Sequence, residues 1–236
     1  MNKRLIWPLN KIMETKALSK KEACAAIVEM GHKLIEKHLV AGSWVNISCR
    51  TRKGIAITPS GLGYGKQTPA DIVLVDEAGA VLAGKHIPSS ETKVHLAIYK
   101  AYPEAGAVIH THSIYASVLA ALHEDVPAII EDIVQICGGK VNCAQYAMTG
   151  TQDLADAAVA AMAGRKACLL ANHGAVCWGK DLDEALLVAE ILEKAAQIVV
   201  LAKSCGGKLY ELDAADSEAM HAFYEEHYSK RQRGEE

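Results

Sequence analysis

The sequence predicts an α/β sandwich with helices laid on a mostly antiparallel sheet. Short apolar runs of strand length recur between turns rich in Gly, Pro and Asp, and segments with apolar residues every three or four positions alternate with them. At 236 residues and 50% hydrophobic, the chain suits one domain, residues 1–236, with a substantial core.

Ser19 to His38 sets Ala23, Ile27, Met30, Leu34 and Ile35 on one helical stripe, and Ser19 with Glu22 has the spacing of a capping box. Four strand-like runs follow, Trp44 to Cys49, Gly54 to Thr58, Asp71 to Val75 and Ala80 to Ala83, and predict a meander. Ser89-Ser90-Glu91 opens a helix through about Ala101, stopped by Pro103. Ala107 to His112 is a buried strand, and Ser113 caps a helix to about Leu122. A strand from Val141 to Tyr146, a helix from Gln152 to Ala163 and strands on both sides of Asn172-His173-Gly174 come next. A long apolar helix from Leu182 to Lys203, a polar one from Ser217 to Tyr228 and a frayed tail from Lys230 to Glu236 close the chain.

Lys+Arg 25 against Asp+Glu 28 leaves a net charge of -3 and no basic stripe, so nucleic acid is not an expected partner. No apolar run approaches the roughly 20 residues of a membrane span. Met1 to Pro8 lacks the apolar core of a signal peptide, so the expected location is the cytoplasm, without membrane association. Seven cysteines without a Cys-x-x-Cys pair read as reduced thiols.

The chemistry gathers at histidines. In a strand His110 and His112 project to one face and can reach one metal ion; His173, at the end of a second apolar run, offers a third imidazole. Three imidazoles leave a tetrahedral zinc one position for water or substrate. The competing explanation for a lone histidine is a satisfied polar residue. Ser60-Gly61 and Ser89-Ser90 offer hydroxyls and backbone N–H groups to an anion, the second pair at a helix N-terminus, although ordinary turn and capping chemistry also explains them. Glu91 can ligate a metal or abstract a proton, or can simply support a helix start at N3. His95, four residues on, reads as a packing or supporting residue.

Gly42 through Arg50, Thr58-Pro59-Ser60-Gly61, Ser89-Ser90-Glu91 with His95, His110-Thr111-His112-Ser113 and Asn172-His173-Gly174 resemble, in order and spacing, the class II aldolase and adducin head superfamily, and within it the L-fuculose-1-phosphate aldolase branch. The resemblance spans roughly residues 20 to 205. It implies a three-layer sandwich, and Zn2+, with Mn2+ or Co2+ as substitutes, on His110, His112, His173 and a displaceable Glu91. It implies a substrate phosphate on Asn46, Ser60, Gly61, Ser89 and Ser90. The implied reaction is cleavage of a ketose or deoxyketose 1-phosphate to dihydroxyacetone phosphate and an aldehyde. The implied assembly is a homotetramer with active sites between subunits.

Two departures stand out. Val45 precedes Asn46 where the family has glycine, and a β-branched residue cannot take the positive φ that glycine permits. Where the family branch has a proton-donating tyrosine this chain has Ile130 to Gln135, which leaves Glu131, Asp132 and the C-terminal Tyr228 as candidate proton donors. A 4-epimerase of pentulose phosphates, a methylthioribulose-1-phosphate dehydratase, a phospho-keto-acid decarboxylase, a structural zinc site and a non-catalytic adducin-like assembly module are the alternatives.

Overall fold

The computed structural model describes residues 18–40 and 44–232; Gly42, Ser43, the first eight residues and the tail beyond residue 232 lie outside the described residues. Helix α1, Lys20–Glu36, opens with the expected capping box: Ser19 Oγ accepts from Glu22 N–H while the Glu22 carboxylate accepts from Ser19 N–H. Strands β1 (Asn46–Thr51), β2 (Gly54–Ile57), β3 (Val73–Val75) and β4 (Val81–Ala83) make the predicted antiparallel meander. Strand β5 (Ala107–Thr111) lies against β1, β8 (Gly174–Gly179) against β5, and β7 (Ala167–Leu170) against β8, all antiparallel. Among the named strands of the described residues, only the two-residue β6 (Cys143–Ala144) runs parallel to its neighbour, β7. The sheet order is β4-β3-β2-β1-β5-β8-β7-β6.

Helices cover both faces. On one side α1, α3 (Ile114–Leu122), α4 (Glu131–Cys137) and α6 (Leu182–Ser204) pack over Ile47, Cys49, Ala107, Ile109, Ala175 and Cys177. On the other, α2 (Thr92–Ala101) and α5 (Gln152–Met162) pack over Val108, Cys168, Leu170, Val176 and Trp178. Alternate residues of each strand enter opposite cores, as strand geometry requires. The α/β three-layer sandwich with a mostly antiparallel sheet is therefore the observed fold.

Several boundaries differ from the expected ones. The strand expected over Trp44 to Cys49 is β1, displaced by two residues so that it starts at Asn46. The strand expected over Val141 to Tyr146 shrinks to β6, and α4 was not anticipated. The last helix begins earlier, α7 at Ala214–Phe223, continues through a π-helical turn at Tyr224–Tyr228 and runs on over Ser229–Gln232, so the first residues of the expected frayed tail, Lys230 to Gln232, are helical. That C-terminal segment is held by the buried Lys166, whose ammonium pairs with Glu184 (2.7 Å) and Glu225, while Lys180 reaches the other Glu225 oxygen at 2.6 Å. The seven cysteines are all unpaired. Among the described residues no helix is long and apolar enough to cross a membrane.

Candidate active site

Strand parity places the histidines. Val108 faces the α2 core, so His110 faces it too, and the β1–β5 register sets Asn46 directly opposite His110. The β7–β8 turn delivers His173 through Asn172, whose backbone takes the left-handed conformation (φ 56°) that asparagine tolerates better than most residues. Asn172 N–H donates to Ala120 O, and its side chain meets His123 Nε2 at 2.6 Å. Gly174 follows because no Cβ fits: one would stand 2.3 Å from Thr111 O and 3.0 Å from His112 Cδ2.

The three rings converge with centroids 4.7 to 5.0 Å apart, and one nitrogen of each lies within 4.8 Å of the others. His110 Nδ1–H donates to Ala175 O (2.9 Å), which leaves a lone pair on its Nε2. That atom lies 2.9 Å from His112 Nε2 and 3.3 Å from Glu91 Oε2, while Glu91 Oε1 lies 3.0 Å from His173 Nε2. His173 Nδ1 is buried with no hydrogen-bond partner among the described residues. Burial, then the neighbouring His110 and His173 rings, lowers the His112 pKa to about 4. Burial also lowers that of His110. Neutral imidazoles present lone pairs. Burial raises the Glu91 carboxyl, but His110, His173 and the Asn46 amide outweigh it and hold it at about 2, so the site carries a carboxylate. Imidazole nitrogens and a carboxylate facing one centre without enough protons to separate them form a donor set suited to a divalent metal such as zinc.

Glu91 sits at the N-cap of α2, not at N3, and makes no side-chain cap bond; its carboxylate turns to the histidines. Beside it the two serine turns are joined: Ser60 N–H donates to Ile87 O (3.0 Å), and Ser89 N–H donates to Thr58 O (3.1 Å) across a bridge between Pro59 and Pro88. Ser89 is buried, its Oγ accepting from Glu91 N–H, whereas Ser60 and Ser90 are exposed and Gly61 (φ 74°) has open space around it. The turns thus form one rim next to Glu91.

Asn46 lies deeper than a rim residue. It is buried, its Nδ2 donating to Glu91 Oε2 (3.3 Å) and its Oδ1 accepting from His95 Nε2 (2.5 Å). Val45 is a core residue whose carbonyl accepts from Tyr64 OH, 2.8 Å away. Ser113 occupies the N-cap of α3 without capping it; the Glu193 carboxylate of α6 accepts from Tyr115 and Ala116 N–H instead, both at 2.9 Å. Sequence reasoning missed Glu193, Asn172 and His123; the Asn-His-Gly turn was the available signal for Asn172, and none marked Glu193.

The remaining candidates are elsewhere. Glu131 and Asp132 open α4, and exposed Tyr228 ends the π-helical turn, all in the layer opposite α2. Asp132 pairs with Lys194.

Residues 25–200 match the family model of the Class II Aldolase and Adducin N-terminal domain. A 5-deoxy-D-ribulose 1-phosphate aldolase of Bacillus thuringiensis is 41% identical over 182 residues, 76% of this chain and 85% of that protein. The L-fuculose phosphate aldolase of Escherichia coli K12 is 38% identical over 157 residues, 66% and 73% of the two chains. A solved L-fuculose 1-phosphate aldolase superposes with a TM-score of 0.84 at 37% identity, covering 89% of this chain and 99% of that one. With sequence, fold and convergent donors in agreement, the chain belongs to the class II aldolase and adducin N-terminal domain family, among its aldehyde-lyase members.

Proposed function

We propose that this protein reversibly cleaves the C3–C4 bond of a ketose or deoxyketose 1-phosphate, of the L-fuculose 1-phosphate or 5-deoxyribulose 1-phosphate type, to dihydroxyacetone phosphate and an aldehyde. One observation carries the proposal: three imidazole nitrogens and the Glu91 carboxylate converge beside a rim of serines. His110, His112 and His173, with Glu91 as a displaceable fourth ligand, would hold the metal, Zn2+ with Mn2+ or Co2+ as substitutes. When bound, it supplies Lewis-acid stabilisation of the negative charge developing at C3, next to the C2 carbonyl.

The chain's own residues do the rest. Ser60, Gly61, Ser89 and Ser90 would hold the phosphate with hydroxyl and backbone N–H groups, and the second N–H of the Asn46 amide can join them from below. In the condensing direction Glu91 takes a proton from the hydroxymethyl carbon of dihydroxyacetone phosphate; in cleavage the C3–C4 bond electrons pass to C3, where Glu91, protonated from solvent once the substrate has displaced it, delivers a proton and is left as the carboxylate. The C4 hydroxyl proton leaves, as that bond breaks, to a second group. Glu131, Asp132 and Tyr228 are the candidates, and because they stand in the opposite layer they would serve a neighbouring subunit's site. Asp132, engaged by Lys194, is the least available of the three. A homotetramer fits this arrangement: Ile114, Val118 and Leu122, 68%, 37% and 57% exposed among the described residues, form an apolar stripe at four-residue spacing on α3, immediately after His112.

A coupled assay for triose phosphate release from L-fuculose 1-phosphate, 5-deoxyribulose 1-phosphate and 5-methylthioribulose 1-phosphate, with metal analysis, tests the proposal. Release that requires all three histidines supports it. Epimer, enone or decarboxylated products without triose phosphate point to another reaction of the same frame, and a chain that retains no metal points to an assembly module.

A further inference from the structure

The face of α2 turned to the sheet carries Glu91, His95 and Tyr99 at four-residue intervals, and β1 carries Asn46 and Ser48 on the same side. Four helical residues advance about 6 Å. Two strand residues advance about 6.7 Å, so the helix stripe and the strand row interlock residue by residue. Tyr99 OH lies 2.8 Å from Ser48 Oγ, and Ser48 Oγ lies 2.6 Å from His95 Nδ1. His95 Nε2 lies 2.5 Å from Asn46 Oδ1, and Asn46 Nδ2 lies 3.3 Å from Glu91 Oε2. All five residues are buried, His95 and Ser48 completely.

The bonds have one consistent direction. A carboxylate only accepts, so the Asn46 amide must turn Nδ2 toward Glu91 and Oδ1 toward His95. Oδ1 also only accepts, so the His95 proton is on Nε2. A neutral ring then accepts at Nδ1 from the Ser48 hydroxyl, which in turn accepts from Tyr99 OH. Every polar atom named is used, which is the condition for such a chain to be tolerated in a core.

We propose that His95 is a positioning residue for Glu91: touching neither substrate nor metal ligands, it fixes the orientation of the Asn46 amide and so the resting place of the carboxylate that carries the proton. This rests on the aldolase proposal for the identity of the reaction, not for the geometry. Without the Nε2–H donor the amide is free to rotate, presenting Oδ1 to Glu91, where two acceptors repel.

Wild type, His95→Asn, His95→Gln and Asn46→Ala are each loaded with Co2+, whose visible spectrum reports its ligands, and assayed for deuterium exchange at the hydroxymethyl carbon of dihydroxyacetone phosphate in D2O without aldehyde. Glutamine puts an amide N–H where Nε2 stood; asparagine is too short to reach Asn46. His95→Asn is expected to slow exchange about 10- to 100-fold at unchanged KM and to alter the Co2+ spectrum. His95→Gln should restore both. Wild-type exchange and spectrum in His95→Asn overturn the proposal, and so does equal loss in His95→Asn and His95→Gln, which would make His95 a packing residue. If His95→Asn does not fold, Asn46→Ala breaks the same link nearer the carboxylate, and an unchanged Co2+ spectrum there is equally fatal. A wild type that exchanges no deuterium defeats the aldolase proposal instead, while the Co2+ spectra still decide the role of His95.

Discussion

Gly174→Ala separates a glycine chosen for space from one chosen for flexibility. Its φ is not positive, so alanine meets no backbone penalty. Space is the obstacle: the new methyl would stand 2.3 Å from Thr111 O, where ordinary contact begins at 3.4 Å, and 3.0 Å from His112 Cδ2. Strands β5 and β8 must part by about 1 Å where Thr111 pairs with Ala175, or one must bend. Overpacking of this kind costs about 1 to 3 kcal/mol. For a chain of this length that lowers the melting temperature by about 2 to 12 °C. The same shift exceeds the roughly 0.5 Å within which ligands must be held, so the zinc dissociation constant should rise by at least about tenfold. Calorimetry of the metal-free protein and zinc titration against a chromophoric chelator measure the two effects. A variant that melts with the wild type and binds zinc equally well would show that the close approach does not hold the histidines in register.

Glu91→Gln keeps an acceptor for Asn46 but removes the proposed base, so triose phosphate release should fall by about 10^2 to 10^4 while the zinc-loaded protein melts no lower; a fall in stability of the zinc-loaded protein instead would favour structural zinc. Chelation followed by dialysis should abolish turnover and zinc should restore it, read in the coupled assay. At acid pH Glu225 should matter: burial raises its pKa, but Lys166 and Lys180 outweigh this and hold it at about 2, against 4.5 for the free group. A pKa depressed in the folded state gives stabilisation that is complete above about pH 4.5 and lost as pH falls toward 2. The stability difference between wild type and Glu225→Gln in urea, at most about 3 kcal/mol at neutral pH, should therefore vanish across that range.

Much of the site was visible in the sequence because strands impose a period of two. His-x-His at the end of an apolar run fixes both imidazoles on one face whatever the neighbouring strands do, and Asn-His-Gly after a second run marks a rim turn. The expected strand over Trp44 to Cys49 contains two turn formers by composition, Asn46 and Ser48, and they do lie in β1, where α2 satisfies their side chains. Where tertiary contacts override local preference, sequence reasoning went astray. The seven residues of α4 follow an N-cap isoleucine with no cap bond and include buried Ile133, Val134 and Ile136; packing forms this helix, ended by Gly138 with φ 89°.

Helix starts failed in an informative way. Glu91 and Ser113 both stand at N-caps, and neither uses its side chain to cap. At α3 the duty passes to Glu193 on α6, which takes two backbone N–H groups and so anchors the helix that follows His112 without spending a group from the site. At α2 Ser89 O accepts from both Thr92 N–H and Thr92 Oγ1–H, and Glu91 contributes only its backbone carbonyl, to Val94 and His95 N–H. Its carboxylate is thereby left to the histidines. Local capping rules describe helices whose ends face solvent. Where an end faces a reaction centre, the same side chain has a more valuable partner, and the cap bond is supplied from another element or by the backbone alone.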